Sequence, residues 1–123
     1  KAARGEHGRI YPWGEDKPNS DYANYDEMVG ETTSVGNYPK GASPYGVLDM
    51  TGNVKELCKN WLDNYNYENS PRNNPKGSSS GYFKAVRGSD WKNGPGILRA
   101  YIRGCTTPFC KDNGLGFRLA RTP

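Results

Sequence analysis

The sequence predicts a loop-rich α+β domain built on short strands, and three observations point there. Only 33% of the 123 residues are apolar and the mean hydropathy is −0.96. Yet nine Tyr, three Trp and three Phe supply core material that disordered chains lack. Sixteen glycines and nine prolines punctuate the chain, which keeps regular elements short. The apolar runs are brief and separated by long polar segments. Counting glycine as apolar brings the chain near the ~45–50% of ordinary globular proteins. The length suits one domain, and short strands joined by irregular loops suit α+β architecture.

Taken in order, Ala2-Ala3-Arg4 reads as the tail of a helix ended by Gly5. Arg9 to Gly14 is apolar and aromatic and closes on Pro12-Trp13-Gly14. Glu15 to Ser43 is mostly turn chemistry, as in Lys17-Pro18-Asn19-Ser20 and Gly36-Asn37-Tyr38-Pro39. Val47 to Met50 is a short apolar run, and Gly52-Asn53 turns the chain into Val54 to Asp63, a short strand or a helical turn. Asn64 to Gly81 is a polar loop. Phe83-Lys84-Ala85-Val86-Arg87 alternates as a strand does. Leu98 to Arg103 and Gly116 to Arg121 are two further strand candidates, with Gly104 to Leu115 as the loop between them. No internal repeat is present.

The net charge of +4 is scattered, and no two Lys or Arg are adjacent. Nucleic-acid binders concentrate charge on one face, so no nucleic-acid partner is expected. No apolar run approaches the ~20 residues that span a bilayer, so no membrane insertion is expected of this segment. No signal-peptide pattern is present, which leaves the compartment open because a leader can be removed. Cys105 and Cys110 are five apart in a Gly/Thr/Pro-rich loop. They can close a small disulfide in an oxidising compartment or stand as two free thiols. Cys58 follows an apolar run and reads as a buried free thiol. With His7 as the single histidine and no Cys-x-x-Cys pair, nothing supports Cys/His metal chelation.

Asp49 and Glu56 flank a glycine turn, and the carbonyls near Gly52 and Val54 lie between them. Calcium takes six to eight such oxygens in a forgiving geometry. The plain alternatives are helix capping or solvated carboxylates, and for Asn53 an Asx-type turn. Arg87, Arg99, Arg103, Arg118 and Arg121 sit among Gly, aromatic and apolar neighbours. Arginines so placed hold loops through carboxylate or carbonyl contacts. One histidine excludes a Ser/His/Asp triad, and no glycine-rich run continues into a phosphate loop.

Several runs together resemble the formylglycine-generating enzyme family, or sulfatase-modifying-factor domain. They are Ala2-Ala3-Arg4-Gly5, Arg9-Ile10-Tyr11-Pro12-Trp13-Gly14, Ala23-Asn24-Tyr25, Ser43-Pro44-Tyr45-Gly46-Val47-Leu48-Asp49-Met50-Thr51-Gly52-Asn53-Val54, Val86-Arg87-Gly88-Ser89 and Gly116-Phe117-Arg118-Leu119-Ala120-Arg121. They keep the family order across nearly the whole chain. The resemblance implies a variant of the C-type lectin fold. It also implies that residues 1–123 are the C-terminal half of one domain, with an N-terminal half outside this chain. A half-domain leaves apolar surface open, so that segment is an expected partner.

The family's oxidases bind copper with a cysteine pair five apart, placed just after the Gly-Ser-aromatic run. Here Gly88-Ser89-Asp90-Trp91-Lys92-Asn93-Gly94-Pro95-Gly96-Ile97 holds no cysteine, and Cys105 and Cys110 lie downstream. A thiolate out of place neither ligates the metal nor reaches substrate, so copper and oxidase activity are not expected. Calcium is the cofactor that the resemblance implies, on Asp49, Gly52, Val54 and Glu56. A second family site would use Asn24 and Tyr25, but its remaining ligands fall in a segment shortened here. The family's Trp-Glu-Trp reads Lys55-Glu56-Leu57.

The chain also resembles variable proteins of diversity-generating retroelements, which carry a hypervariable ligand-binding surface on this fold. Mutation at adenines of AAC or AAT codons never yields Lys, Glu, Gln, Met or Trp, and within Gly104 to Leu115 only Lys111 falls outside the accessible set. The resemblance places ligand contacts at Asp90, Ile97, Tyr101, Cys105, Thr106, Phe109, Cys110 and Asn113. The expectation is a calcium-stabilised, lectin-like binding domain without catalysis, for a protein or other macromolecular ligand, at an extracellular or cell-surface location. The alternative is a formylglycine-generating oxidase or a related oxygen-dependent enzyme of sulfur chemistry.

Overall fold

The computed structural model describes residues 1–62, 73 and 77–120. Their regular elements are two 3₁₀ turns, Pro39–Gly41 and Pro95–Ile97, and four strands: β1 (Lys55–Leu62), β2 (Phe83–Arg87), β3 (Arg103–Thr106) and β4 (Leu115–Gly116). Each 3₁₀ turn opens on proline, whose fixed φ suits a first helical position where no N–H is needed. No α-helix occurs among the described residues, so these turns carry the helical share of the expected α+β class. The expected helix tail at Ala2-Ala3-Arg4 is a single turn. There the Gly5 N–H donates to the Lys1 carbonyl at 2.9 Å, and Gly5 takes a φ of +66° that L side chains avoid.

The four strands form one sheet in the order β3-β2-β1-β4. β1 and β2 run antiparallel, and the register shifts between Leu57 and Trp61. Such a bulge bends the strand and increases its twist. β2 and β3 are antiparallel, with Ala85 opposite Cys105 and Val86 opposite Gly104. β4 joins β1 in parallel, Lys55 opposite Leu115 and Glu56 opposite Gly116. This parallel pairing brings the chain's last segment beside the turn at residues 48–54.

Where a strand was expected over Leu98 to Arg103, the chain turns twice instead. The Leu98 N–H returns to the Pro95 carbonyl and the Ile102 N–H to the Arg99 carbonyl, so pairing starts only at Arg103. The cause is burial: Leu98, 0% exposed, is drawn into a cluster with Ala23 and Tyr25, against which Tyr11 and Trp13 pack. The segment expected as a loop from Gly104 gives its first residues to β3. Of the strand expected over Gly116 to Arg121, only Gly116 pairs among the described residues. Asp63, Arg121 and most of the polar loop at 64–81 lie outside the described residues.

The buried apolar set is small, and its neighbours are polar. Asn24, Asn53, Ser89 and Asp90 are all buried, so the interior depends on hydrogen bonds as much as on apolar packing. Phe109, Phe117 and Leu119 stand exposed.

Candidate functional site

The turn before β1 is built by backbone that few side chains tolerate. Asp49 and Asn53 have φ of 53° and 62°, and Gly52 has +80°. A Cβ on Gly52 would lie 2.7 Å from the Asn24 carbonyl, which in turn accepts the Asn53 N–H at 2.8 Å. The turn is therefore clamped onto residue 24. From there the Asn53 side chain reaches across the chain. Its Oδ1 accepts the Thr33 N–H at 2.8 Å and its Nδ2 donates to the Thr33 carbonyl at 3.0 Å. Its own carbonyl accepts the Trp91 N–H. Asn53 thus joins three distant segments, far more than an Asx turn does.

Of the four residues expected to hold calcium, two are already engaged by a guanidinium. Arg118 Nε donates to both Glu56 oxygens at 2.8 Å, and Nη2 donates to Glu56 as well. Nη2 also reaches the Asp49 carbonyl at 2.9 Å and Nη1 the Leu48 carbonyl at 3.1 Å. The Glu56 bond is the main cause that raises the Arg118 pKa above its ordinary value. The Asp49 carboxylate accepts the Gly36 N–H at 2.7 Å. At the position expected to hold calcium, Glu56 and the Asp49 carbonyl thus already have a cationic partner.

Asn24 and Tyr25 differ. Asn24 is 0% exposed. Its Nδ2 donates to the Glu31 carbonyl at 2.8 Å, but its buried Oδ1 has no donor. A buried acceptor left without a donor is costly unless a cation or water meets it. The chain beside it is folded tightly, with Asp26 and Glu27 at φ of 52° and 55°. Their N–H groups donate to the Asn93 and Trp91 carbonyls. Asn24 Oδ1 is one oxygen of the kind a hard cation takes, while the Tyr25 carbonyl accepts the Met28 N–H at 3.1 Å.

The expected ligand contacts divide. Asp90 is not on the surface: it is 1% exposed and bonded to Lys55 Nζ at 2.8 Å, the Lys92 N–H at 3.1 Å and Asn93 Nδ2. A carboxylate in this setting is retained by its partners and is not available to a ligand. Lys55 also lies near Asp112, which sits near Lys92 in turn. Burial opposes the Lys55 charge, but the bonds to Asp90 and Asp112 raise its pKa overall. The Gly114 N–H leads in lowering that of Asp112, ahead of Lys55 and Lys92. This chain of charges joins groups far apart in sequence, and Lys55 in place of the family's aromatic is its one local signal.

The other contacts are open or partly open. Ile97 belongs to the second 3₁₀ turn and Tyr101 precedes β3; they are 43% and 44% exposed. Cys105 and Thr106 lie on β3, Thr106 half-buried. Phe109, 89% exposed, and Cys110 follow in a turn closed from the Cys110 N–H to the Thr107 carbonyl. Asn113 is exposed. Cys105 and Cys110 are exposed free thiols, and Cys58 is half-buried rather than buried. Burial pushes the Cys58 thiol up. Arg87 braces this region, donating to the carbonyls of Ala100, Tyr101 and Ile102 at 2.7–3.1 Å. Arg99 donates to the Tyr101 hydroxyl at 2.9 Å. Arg87 and Arg118 thus hold loops through carbonyl and carboxylate contacts, as their sequence setting suggests, and Arg121 lies outside the described residues.

Comparison with known proteins adds relatives of several kinds. The serine/threonine-protein kinase pkn1 of Chlamydia caviae is 37% identical over 113 residues, covering 90% of this chain and 18% of the kinase. The hercynine oxygenase of Mycolicibacterium smegmatis is 34% identical over 118 residues, covering 91% of this chain and 28% of the oxygenase. Among solved structures, Treponema denticola variable protein 1 superposes with a TM-score of 0.77 at 26% identity, covering 94% of this chain and 42% of that one. The chain thus spans less than half the length of each of these proteins. The pattern described as sulfatase-modifying factor enzyme 1-like domain matches residues 1–123 throughout, and the chain belongs to that family.

Proposed function

We propose that residues 1–123 are the ligand-presenting part of a non-catalytic, calcium-stabilised, lectin-like binding domain. The reading rests chiefly on one observation. Large side chains, Phe109 above all, stand into solvent beside β3 while Arg87 and Arg118 tie the flanking backbone to a fixed frame. A pre-ordered frame lowers the entropy cost of binding, and exposed aromatic anchors are what macromolecular interfaces use. The ligand surface comprises Ile97, Tyr101, Cys105, Thr106, Phe109, Cys110 and Asn113. The likeness to a variable protein supports this use of the surface and a retroelement-diversified origin for residues 104–115. The ligand is a protein or other macromolecule, met at the cell surface or outside it. Calcium is proposed at Asn24 and Tyr25 on the buried Asn24 Oδ1; the six to eight oxygens it takes must then come mostly from outside these two residues, since the Tyr25 carbonyl already accepts the Met28 N–H. The N-terminal half of the domain covers the apolar surface at Phe117 and Leu119.

A second reading, oxygen-dependent sulfur chemistry, draws on the similarity to a hercynine oxygenase. Metal analysis of the full polypeptide separates the two, combined with dioxygen uptake in the presence of a cysteine-containing peptide. Bound calcium without copper and without uptake supports the binding domain. Bound copper with uptake returns Cys105 and Cys110 to a catalytic role.

A further inference from the structure

We infer that Arg118 is the resident cation of the turn at residues 49–56, and that no divalent ion binds there. The three guanidinium nitrogens meet both oxygens of Glu56 and the carbonyls of Leu48 and Asp49. A planar fork of fixed donors matches a carboxylate in this way and is charged at every working pH. Calcium needs six to eight oxygens at about 2.3–2.6 Å. To supply them, this turn would have to release Glu56 and the Asp49 carbonyl from Arg118, leaving the guanidinium, itself only 37% exposed, without its partners. A dication sharing Glu56 with Arg118 would also meet like charge at close range.

The placement gives Arg118 a second effect. It lies two residues beyond β4, so its bonds fasten the segment after residues 104–115 to the turn that precedes β1. The attachment is made by hydrogen bonds and an ion pair from a side chain of the protein itself. The inference stands apart from the ligand-binding reading, because calcium at Asn24 does not involve Glu56.

The test is calcium titration calorimetry on the full chain, wild type against Glu56→Gln, with melting of Arg118→Met in a calcium chelator. The expected result is a calcium affinity and stoichiometry unchanged within twofold by Glu56→Gln, and a lowered melting temperature for Arg118→Met. Loss of one bound calcium, or a tenfold weaker affinity, in Glu56→Gln would overturn the inference. So would an Arg118→Met variant that melts with the wild type. If Arg118→Met does not fold, Glu56→Gln decides alone, since it is nearly isosteric.

Discussion

Asn53 shows how much a single amide can organise. Its side chain pairs with both backbone groups of Thr33, and its main chain links Asn24 to Trp91. Replacing it with Ala strands the Thr33 N–H and carbonyl in a part-buried setting and removes a residue type that tolerates φ of 62°. Asn53→Ala should cost about 2–4 kcal/mol in chemical denaturation; a loss under about 0.5 kcal/mol would mean that solvent replaces those bonds. Gly52→Ala meets strain at φ +80° and the Asn24 carbonyl at once, and should cost more than about 2 kcal/mol. The same local pattern of Gly before Asn was legible as a turn. What the turn holds was not, because Thr33 is twenty residues away and no local periodicity links them. Asp90, a ligand contact on the resemblance, is interior for the same reason: Lys55, 35 residues away on β1, joins the nearby Lys92 N–H and Asn93 amide in satisfying its buried carboxylate.

Among the elements, β2 was readable because Phe83 to Arg87 alternates and is bounded by turn residues. The sequence of Val54 to Asp63 suits either a strand or a helical turn, and pairing with β2 and β4 makes Lys55–Leu62 a strand. Leu98 to Arg103 shows the opposite outcome: a strand is expected there, but Leu98 packs into the core with Ala23 and Tyr25 and the chain turns. Lys55 at the start of β1 is the element-scale test. Lys55→Met leaves Asp90 buried with only its Lys92 and Asn93 donors. The usual cost of breaking a buried pair is about 3–5 kcal/mol; about 2–3 kcal/mol is expected here because Lys55 is 30% exposed. A denaturant midpoint equal to wild type would show the pair to be dispensable.

At the scale of the whole molecule, this same cluster contributes to the dependence of stability on pH. Asp112 has a folded pKa below its ordinary 3.8, so its contribution is present above that value and is lost as pH falls through the lowered one. Lys55 has a folded pKa above its ordinary 10.5, so its contribution is complete below that value and fades as pH rises through the raised one. Melting temperature should therefore fall at both extremes, and Asp112→Asn should flatten the acid limb. A second whole-molecule prediction concerns the outward Phe117 and Leu119, 74% and 90% exposed. In the full polypeptide Phe117→Ser should cost about 2 kcal/mol if the N-terminal half covers it. A change within about 0.5 kcal/mol is the mark of a free surface residue.

The sequence by itself determined the family, the loop-rich character, the strand β2 and the bracing use of Arg87 and Arg118, because these rest on residue types in local order. Tertiary structure alone decided that Arg118 meets Glu56, that Asp90 is interior and that Asn24 keeps an open acceptor. Each depends on groups distant in sequence competing for one partner, and which donor reaches an acceptor first is a matter of chain path rather than of composition.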